Sequence, residues 1–234
     1  MSRRRPSAAR RLRPFWFLIV MLIVLLGVGV YLFARWPAFE PHTIEVEGNT
    51  VVGKDAILQS AQINLLQNIW LQNTHAMAER IEAIPYIDTA VVHRQPPGTI
   101  VIVVTERVPF AVLDTDGTQE VVDRTLRILR GAGPQDRQLP VLVVHRDENA
   151  RALADAAREA QAAHLVPESL AYDRFGDLTM TMRDGIAVLF GDPSTVPQKA
   201  PLVEPILEKV DRGKRRVTAI DLRALTTPVV IYAR

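Results

Sequence analysis

The sequence predicts an α+β protein with a single N-terminal transmembrane helix, a β-α-α-β-β domain, and then a mixed β-rich domain with two helices. Three observations lead to this prediction. Residues 15–33 form a run of 19 residues without a charge. Residues 87–105 contain two apolar stretches on either side of a Gln-Pro-Pro-Gly turn, which is the pattern of a β-hairpin. After residue 109, short apolar stretches alternate with turns that contain Asp and Gly, which indicates several short strands.

The charge of the chain is concentrated at its N-terminus. The formal net charge is +2, yet residues 1–14 hold six arginines and no acid, so the remaining residues carry a net charge of −4. This distribution disfavours a nucleic-acid-binding domain, which would concentrate Lys and Arg on a folded face. The chain has no cysteine, which excludes disulfides, thiolate metal sites and cysteine nucleophiles.

The apolar run predicts a transmembrane helix at residues 15–34. As a helix, 19 residues extend about 28 Å, close to the hydrocarbon core of about 30 Å. A cleaved signal peptide is the alternative, but its apolar region would be shorter and Ala34–Pro37 is a poor cleavage site. The arginines before the span predict that residues 1–14 are cytoplasmic and that the rest of the chain lies outside. The arginine tail either binds anionic lipid headgroups or serves only as a topology signal.

The first external domain is predicted at residues 42–108. Apolar residues share one face of a short helix at residues 54–63, and Thr74 suits the N-cap of a second helix. Residues 64–73 are ambiguous because they are too apolar for a free loop. The strand at residues 99–105 is apolar on both sides, which predicts that both of its faces are covered. Two helices against a three-stranded sheet would bury these apolar faces.

The second external domain is predicted at residues 109–234. Helices are expected at residues 150–165 and 197–210, and Pro205 is expected to kink or restart the second one. Asp184-Gly185 is a strong signal for a hairpin turn. After an initial meander at residues 111–129, the predicted strands are at residues 139–144, 170–175, 178–182, 186–190, 217–222 and 228–233.

The sequence offers no recognisable catalytic set. It has no nucleophile elbow and no glycine-rich phosphate-binding loop. Asp173, Asp177 and Asp184 could do acid-base work in a cleft. Asp177 and Asp184 are at turns, however, where an aspartate usually caps its own backbone. Residues 211–216 are either a basic patch for lipid or peptidoglycan or, as we favour, a solvated turn. The histidines are better explained as surface or strand residues than as metal ligands: His42, His75, His93, His145 and His164.

Binding through the backbone is the mode that remains. An exposed strand edge presents unpaired N–H and C=O groups, to which a segment of a partner can add as a further strand. The C-terminal strand at residues 229–233 is the candidate edge, because it is β-branched and ends the chain. The alternative is that this strand lies inside the sheet, since the sequence does not order the strands.

Several short motifs, taken in order, resemble a known family. They include Asn68-Ile69-Trp70, Ile84-Pro85-Tyr86, the strand that ends at Arg94, Pro97-Gly98-Thr99, and the run Glu106-Arg107-Val108-Pro109 before Ala111. These residues are similar to a POTRA domain of the FtsQ/DivIB cell-division family. Leu139-Pro140 and Ile220-Asp221-Leu222-Arg223 resemble positions of the same family's β domain, although Asp123–Leu126 lacks the usual glycine of its turn. The resemblance covers most of the chain.

The resemblance implies a non-enzymatic, single-pass scaffold of the cytoplasmic (inner) membrane, located at the division septum. It implies partners of the FtsB/DivIC and FtsL types, a role in septal peptidoglycan synthesis, and no cofactor, metal or nucleic acid. The characteristic POTRA residues would be Arg94, Pro97, Glu106, Arg107 and Pro109. The partner-binding residues would be Ile220, Asp221, Leu222, Arg223, Val229, Val230, Ile231 and Tyr232.

Two other functions stay open on the sequence alone. One is a POTRA-type chaperone that binds unfolded β segments of secreted or outer-membrane proteins. The other is a membrane-anchored cell-wall hydrolase, which the lack of a nucleophile or metal set disfavours.

Overall fold

The computed structural model describes residues 9–145, 148–210, 216–224 and 226–233, with side chains from residue 16 onward. The chain divides into two compact units, unit 1 up to Glu106 and unit 2 from Arg107. Unit 1 contains α1 (Ala9–Ala34), β1 (Thr43–Glu47), α2 (Lys54–Ala61), α3 (Thr74–Glu82), β2 (Ile87–Gln95) and β3 (Thr99–Glu106). Unit 2 contains β4 (Ala111–Thr115), β5 (Thr118–Val122), β6 (Ile128–Gly131), β7 (Val141–Val144), α4 (Ala150–Ala162), β8 (Pro167–Tyr172), β9 (Leu178–Met182), β10 (Ala187–Gly191), α5 (Val196–Lys209), β11 (Val217–Asp221) and β12 (Val229–Tyr232).

The first helix, α1, is long and apolar enough to cross a membrane. Residues 16–34 have a mean hydropathy of 2.9, and none of this stretch is buried within the structure. An apolar helix that nothing covers is costly in water, since each buried CH₂ is worth about 0.8 kcal/mol. The helix therefore fits a membrane anchor, and it begins at Ala9, before the apolar run itself.

After α1, unit 1 has the predicted β-α-α-β-β order. Its sheet has the strand order β1-β3-β2, with β1 parallel and β2 antiparallel to the central β3. The two helices α2 and α3 cover one face, where they bury the inward residues of β3, which are Ile100, Ile102 and Val104.

Two local predictions for unit 1 were wrong. Both faces of β3 were expected to be covered, but Val101 and Val103 are only half-buried, because both helices lie on the opposite face. Thr74 was expected to be the N-cap of α3. The N-cap is Asn73, whose side-chain oxygen accepts a hydrogen bond from the N–H of Ala76, so Thr74 begins the helix instead.

Unit 2 contains one nine-stranded sheet, with the order β12-β11-β10-β9-β8-β7-β4-β5-β6. Helix α4 packs on β7 and β8, and α5 packs on α4 and β10. Buried residues alternate with more exposed residues along β7 and β9, so the sheet buries one face under the helices. The largest buried side chains of this core include Leu142, Leu153, Leu170, Leu178, Met180 and Phe190.

Pro205 was expected to kink or restart the second helix of unit 2, and α5 does not restart there. It is assigned as a single helix from Val196 to Lys209, with Pro201 and Pro205 inside it. These two prolines are four residues apart and both are exposed. They therefore lie on the solvent side of the helix, where water can satisfy the carbonyl groups that lose their hydrogen-bond donors.

Candidate functional site: the open edge of the nine-stranded sheet

Strand β12 is the terminal strand of the nine-stranded sheet. It pairs with β11 alone, in an antiparallel register that places Ile220 opposite Val230 and Asp221 opposite Val229. Within the described residues, no further strand covers its other side. The last strand of the chain is therefore an edge strand, one of the two positions that the sequence left open.

The hydrogen bonds around β12 identify the backbone groups that face outward. The N–H of Ala233 donates to the carbonyl of Arg216, and the carbonyl of Ile231 accepts from the Thr218 hydroxyl. Odd-numbered residues of β12 therefore direct their backbone groups toward β11. Because these groups alternate along a strand, the N–H and C=O groups of Val230 and Tyr232 point to the open side.

A hydrogen bond between the β11 segment and β10 independently supports this orientation of the backbone groups. The N–H of Leu222 donates to the carbonyl of Leu189 in β10 at 2.9 Å. The backbone groups of Ile220 and Leu222 thus face β10, and those of Ala219 and Asp221 face β12. The register shifts between Val217 and Ala219, so Arg216, before the shift, also faces β12. Asp221 and Val229 consequently form a hydrogen-bonded pair, which leaves Ile220 and Val230 as a non-hydrogen-bonded pair.

The side chains of β12 divide between the two faces of the sheet. Val230 is half-buried and packs against the core on the same face as Ile220. Val229 and Ile231 point to the opposite face and are 53% and 42% exposed. The edge thus combines free backbone groups with two exposed β-branched side chains, which is a suitable surface for an added strand.

Not all of the predicted partner-binding residues are on this surface. Ile220 and Leu222 are completely buried in the core, so they position the edge and do not present their side chains to a partner. Asp221 and Arg223 form an ion pair, with Arg223 Nη2 2.6 Å from Asp221 Oδ2. The Arg223 hydrogen bond is the main reason that the pKa of Asp221 lies below its usual value.

Lys199 is a structural residue of this region that sequence reasoning missed. Its side chain is buried, and its ammonium donates to the carbonyls of Phe190 at 2.6 Å and Arg223 at 3.3 Å. It therefore ties α5 to the end of β10 and to the segment between β11 and β12. Its position in the apolar stripe of α5, between Val196 and Val203, is the signal that could have revealed it.

Glu106 and Arg94 hold the loops of unit 1. The Glu106 carboxylate accepts hydrogen bonds from the N–H groups of Val51 and Val52 and from the Thr50 hydroxyl, so it closes the loop before α2. Burial raises the pKa of Glu106, but these hydrogen bonds outweigh that effect and the net pKa is lowered. The Arg94 guanidinium donates to the carbonyls of two residues in the loop before α3, at 2.7 and 2.6 Å.

Arg107 acts in unit 2 instead. Its guanidinium donates to Asp123 Oδ2 at 2.7 Å, and the other oxygen of Asp123 accepts from the N–H groups of Thr125 and Arg127. Burial raises the pKa of Asp123. The hydrogen bonds from Thr125, Arg107 and Arg127 lower this pKa by more than burial raises it, so the net pKa lies below its usual value. Leu126, with φ of 66°, provides the left-handed residue of this turn, in place of the missing glycine.

The two prolines of the predicted POTRA motif lie in turns. Pro97 follows a cis peptide bond and precedes Gly98, whose carbonyl accepts from the N–H of His42 at 2.7 Å. Pro109 is half-buried and precedes Phe110, whose N–H donates to the carbonyl of Val122. Both prolines therefore lead into backbone hydrogen bonds that connect strands.

Comparison with known protein families identifies both units. Residues 39–107 match the family model of the FtsQ-type POTRA domain, and residues 111–223 match the model of the C-terminal region of cell division protein FtsQ/DivIB. Together the two matches cover more than three quarters of the chain. The chain belongs to the FtsQ/DivIB family of cell division proteins.

Individual FtsQ/DivIB relatives have low sequence identity to this chain, but two of the matches extend over most of its length. Cell division protein FtsQ of Mycobacterium tuberculosis is 25% identical over 217 residues, which covers 89% of this chain and 68% of the relative. The FtsQ of Corynebacterium glutamicum is 24% identical over 204 residues, with 82% and 87% covered. Cell division protein DivIB of Clostridium tetani is 31% identical over 107 residues, or 46% of this chain and 40% of the relative. These names support a role in division.

Two of the three aspartates that were considered for catalysis, Asp173 and Asp184, cap turns of this FtsQ/DivIB chain. Asp173 Oδ1 accepts from the N–H groups of Phe175 and Asp177, and Asp184 Oδ1 accepts from the N–H of Ile186. Within the part of the chain that the structure describes, no three His, Asp or Glu residues converge as metal ligands would. The basic segment at residues 211–215 lies outside the described residues.

Proposed function

We propose that this chain is a non-enzymatic, single-pass scaffold of the bacterial division machinery, which binds a partner by strand addition at β12. The observation that carries the proposal is the position of β12, an open edge in a chain of the FtsQ/DivIB family. A main-chain edge gives affinity to any extended segment, and the exposed Val229 and Ile231 side chains add selectivity. The partner would be the membrane-anchored coiled-coil protein of the FtsB/DivIC type, together with its FtsL-type companion.

The topology of the scaffold follows from the charge around α1. Six arginines precede the apolar run of α1 and only Arg35 follows it closely, so the N-terminus is on the cytoplasmic side. The part of unit 1 that follows α1 and the whole of unit 2 are then extracytoplasmic. There they connect the membrane-anchored partners to septal peptidoglycan synthesis. This location places β12 in the same compartment as the extracytoplasmic parts of those partners.

Co-expression with partners from the same genome tests this proposal. The full chain would be expressed with the full-length FtsB-type and FtsL-type proteins, extracted in detergent and purified through a tag on this chain. We expect the three proteins to elute together. If well-folded partners do not co-elute, the proposed partner set is wrong, and a chaperone that binds unfolded β segments becomes the better hypothesis.

A further inference from the structure

The loop at residues 62–73, between α2 and α3, is tied to the end of α1. The buried side chain of Asn68 donates from Nδ2 to the carbonyl of Phe33 at 2.8 Å. The N–H of Ile69 donates to the carbonyl of Phe39 at 2.8 Å, and the rings of Phe33 and Phe39 lie 5.1 Å apart. Phe33 is next to the last residue of the apolar span. The 62–73 loop therefore lies at the level where α1 leaves the membrane.

Two polar side chains of the 62–73 loop, Asn68 and Gln72, are buried. The buried amide of Gln72 donates to the carbonyls of Asn64 and Gln67 at 2.9 Å and accepts from the N–H of Asn64. The Arg94 guanidinium, from β2, donates to the carbonyls of Ile69 and Gln72. These bonds fix the loop and satisfy its backbone from within.

Large apolar side chains of the same loop point outward. Leu66 is 85% exposed and Trp70 is 45% exposed, and Leu65 and Leu71 are more than half exposed. Buried amides and exposed leucines reverse the arrangement that is usual in water. An exposed apolar patch of this kind marks an interaction surface.

The charge pattern identifies the kind of surface that the loop contacts. Residues 56–74 contain no charged side chain. Trp36, just beyond the span, is also exposed, and Trp side chains favour the membrane–water interface. A partner protein would leave a polar or charged rim around the apolar contact, whereas the interfacial region of a bilayer accepts an uncharged surface with Trp at its margin.

We propose that the 62–73 loop inserts its apolar side chains into the outer leaflet of the membrane that α1 crosses. The proposal rests on the membrane anchoring and orientation given under the proposed function. The loop acts as a second attachment beside α1, so unit 1 is held against the bilayer surface by contacts on its own fold. Asn68 and Arg94 are the positioning residues of this attachment, because they fix the loop next to Phe33.

Single-tryptophan variants of the full chain, reconstituted in phosphatidylcholine vesicles, test the proposal. With Trp16→Phe and Trp36→Phe, Trp70 is the only tryptophan left. We expect acyl chains brominated near the headgroup to lower its emission roughly twofold, because the indole lies in the interfacial region. Trp70 that is open to acrylamide and unaffected by brominated lipid would overturn the proposal.

A second variant separates this failure from a failure of anchoring. With Trp36→Phe and Trp70→Phe, only Trp16 in the span reports. Quenching of Trp16 without quenching of Trp70 overturns loop docking and leaves the anchor intact. Absence of quenching at both positions overturns the anchor as well. Trp70 that becomes shielded only when the division partners are added would show a protein-binding surface and would also overturn the lipid proposal.

Charge substitutions give a matched comparison in the Trp70-only background. Leu66→Glu with Leu71→Glu places carboxylates on the apolar loop, and we expect the lipid quenching of Trp70 to be lost. Val91→Glu, at an exposed valine in the middle of β2, is the control and should keep the quenching. Equal quenching in all three proteins would contradict the proposal. Circular dichroism would establish that each variant is folded.

Discussion

The two units expose different parts of the chain to their surroundings. In unit 1, buried polar side chains satisfy the backbone of the 62–73 loop and leave apolar side chains outside. In unit 2, aspartate side chains accept hydrogen bonds from backbone N–H groups of the turns. Strand β12, however, leaves backbone N–H and C=O groups free at the edge of the sheet. The difference indicates two kinds of recognition. Exposed leucines suit an apolar phase without sequence specificity, whereas an open strand edge suits one extended segment in register.

Neighbouring residues illustrate the same division. Glu106 bonds to the loop before α2 in unit 1, whereas Arg107 bonds to Asp123 in unit 2. The Glu-Arg pair of the motif therefore serves both units, one residue each. Substitutions at one unit should consequently leave the stability of the other unit almost unchanged.

The largest effect is expected at Gly48 in unit 1. Gly48 has φ of 85°, and a Cβ atom there would clash with the carbonyl of Val104. We expect Gly48→Ala to destabilise unit 1 by about 4 kcal/mol, because it adds steric overlap to a strained backbone conformation. Hydrogen exchange measured separately on α3 and on β9 would show whether the loss stays in unit 1.

Gly117→Ala in unit 2 is the matched control for this substitution. Gly117 also has a positive φ, of 90°, but an added Cβ would meet no atom within 4 Å. We therefore expect a loss of only about 1 kcal/mol, which is the cost of the backbone conformation alone. Equal losses for the two glycines would mean that the contact with Val104 is not the cause.

The next largest effect is expected at Asp123 in unit 2. Asp123→Asn keeps an oxygen for the turn but removes the negative charge beside the Arg107 guanidinium, which is largely buried. We expect unit 2 to lose about 3 kcal/mol of unfolding free energy, which is typical when a buried ion pair loses one partner. Hydrogen exchange of the amides of β4 and β5, measured over a series of urea concentrations, would give this loss of unfolding free energy. Asp184→Asn at an exposed turn is the control, and a similar loss there would contradict the role of the Arg107 pair.

A smaller effect is expected at the edge itself. Val230→Pro removes an N–H that points away from β11, so the internal ladder keeps its hydrogen bonds. We expect the FtsB-type partner to bind about tenfold more weakly, equivalent to about 1.4 kcal/mol, with little change in the stability of unit 2. Val230→Ala keeps the donor and controls for lost packing. Calorimetry would measure the affinity of each variant for the partner. Equal affinities of Val230→Pro and Val230→Ala would contradict strand addition at β12.

The smallest effect is a difference in acid sensitivity. The folded-state pKa values of Glu106 in unit 1 and of Asp123 and Asp136 in unit 2 are lowered. A lowered pKa contributes stability that is present above the ordinary pKa and is lost as the pH falls through the folded value. Stability should therefore stay level from neutral pH to about pH 5 and fall below about pH 4, more steeply in unit 2. Asp123→Asn should flatten the fall in unit 2, and an unchanged slope would contradict this assignment.

Local patterns predicted most of the elements, because they depend on neighbouring residues. The β-α-α-β-β order and the strands around Asp184-Gly185 follow from apolar periodicity and turn residues. The 62–73 loop remained ambiguous because its conformation depends on Arg94, which is 25 residues from Ile69 in sequence. Contacts of that kind leave no periodic signal.

The candidate site was only partly predictable for the same reason. The β-branched residues around Val230 indicated a strand, but only the order of the sheet shows that this strand is at the edge. The family resemblance placed Ile220 and Leu222 among the binding residues, but the alternation of the strand puts their side chains in the core. Lys199 escaped notice because a lysine in a helix is usually solvated.

Hydrogen exchange at individual amides of β12, with and without the FtsB-type partner, tests the central claim most directly. The account predicts that the amides of Val230 and Tyr232 exchange rapidly in the free chain and become protected in the complex. The amides of Val229 and Ile231, which face β11, should be protected in both states and act as internal controls. A complex that forms while Val230 and Tyr232 continue to exchange rapidly would contradict partner binding by strand addition at this edge.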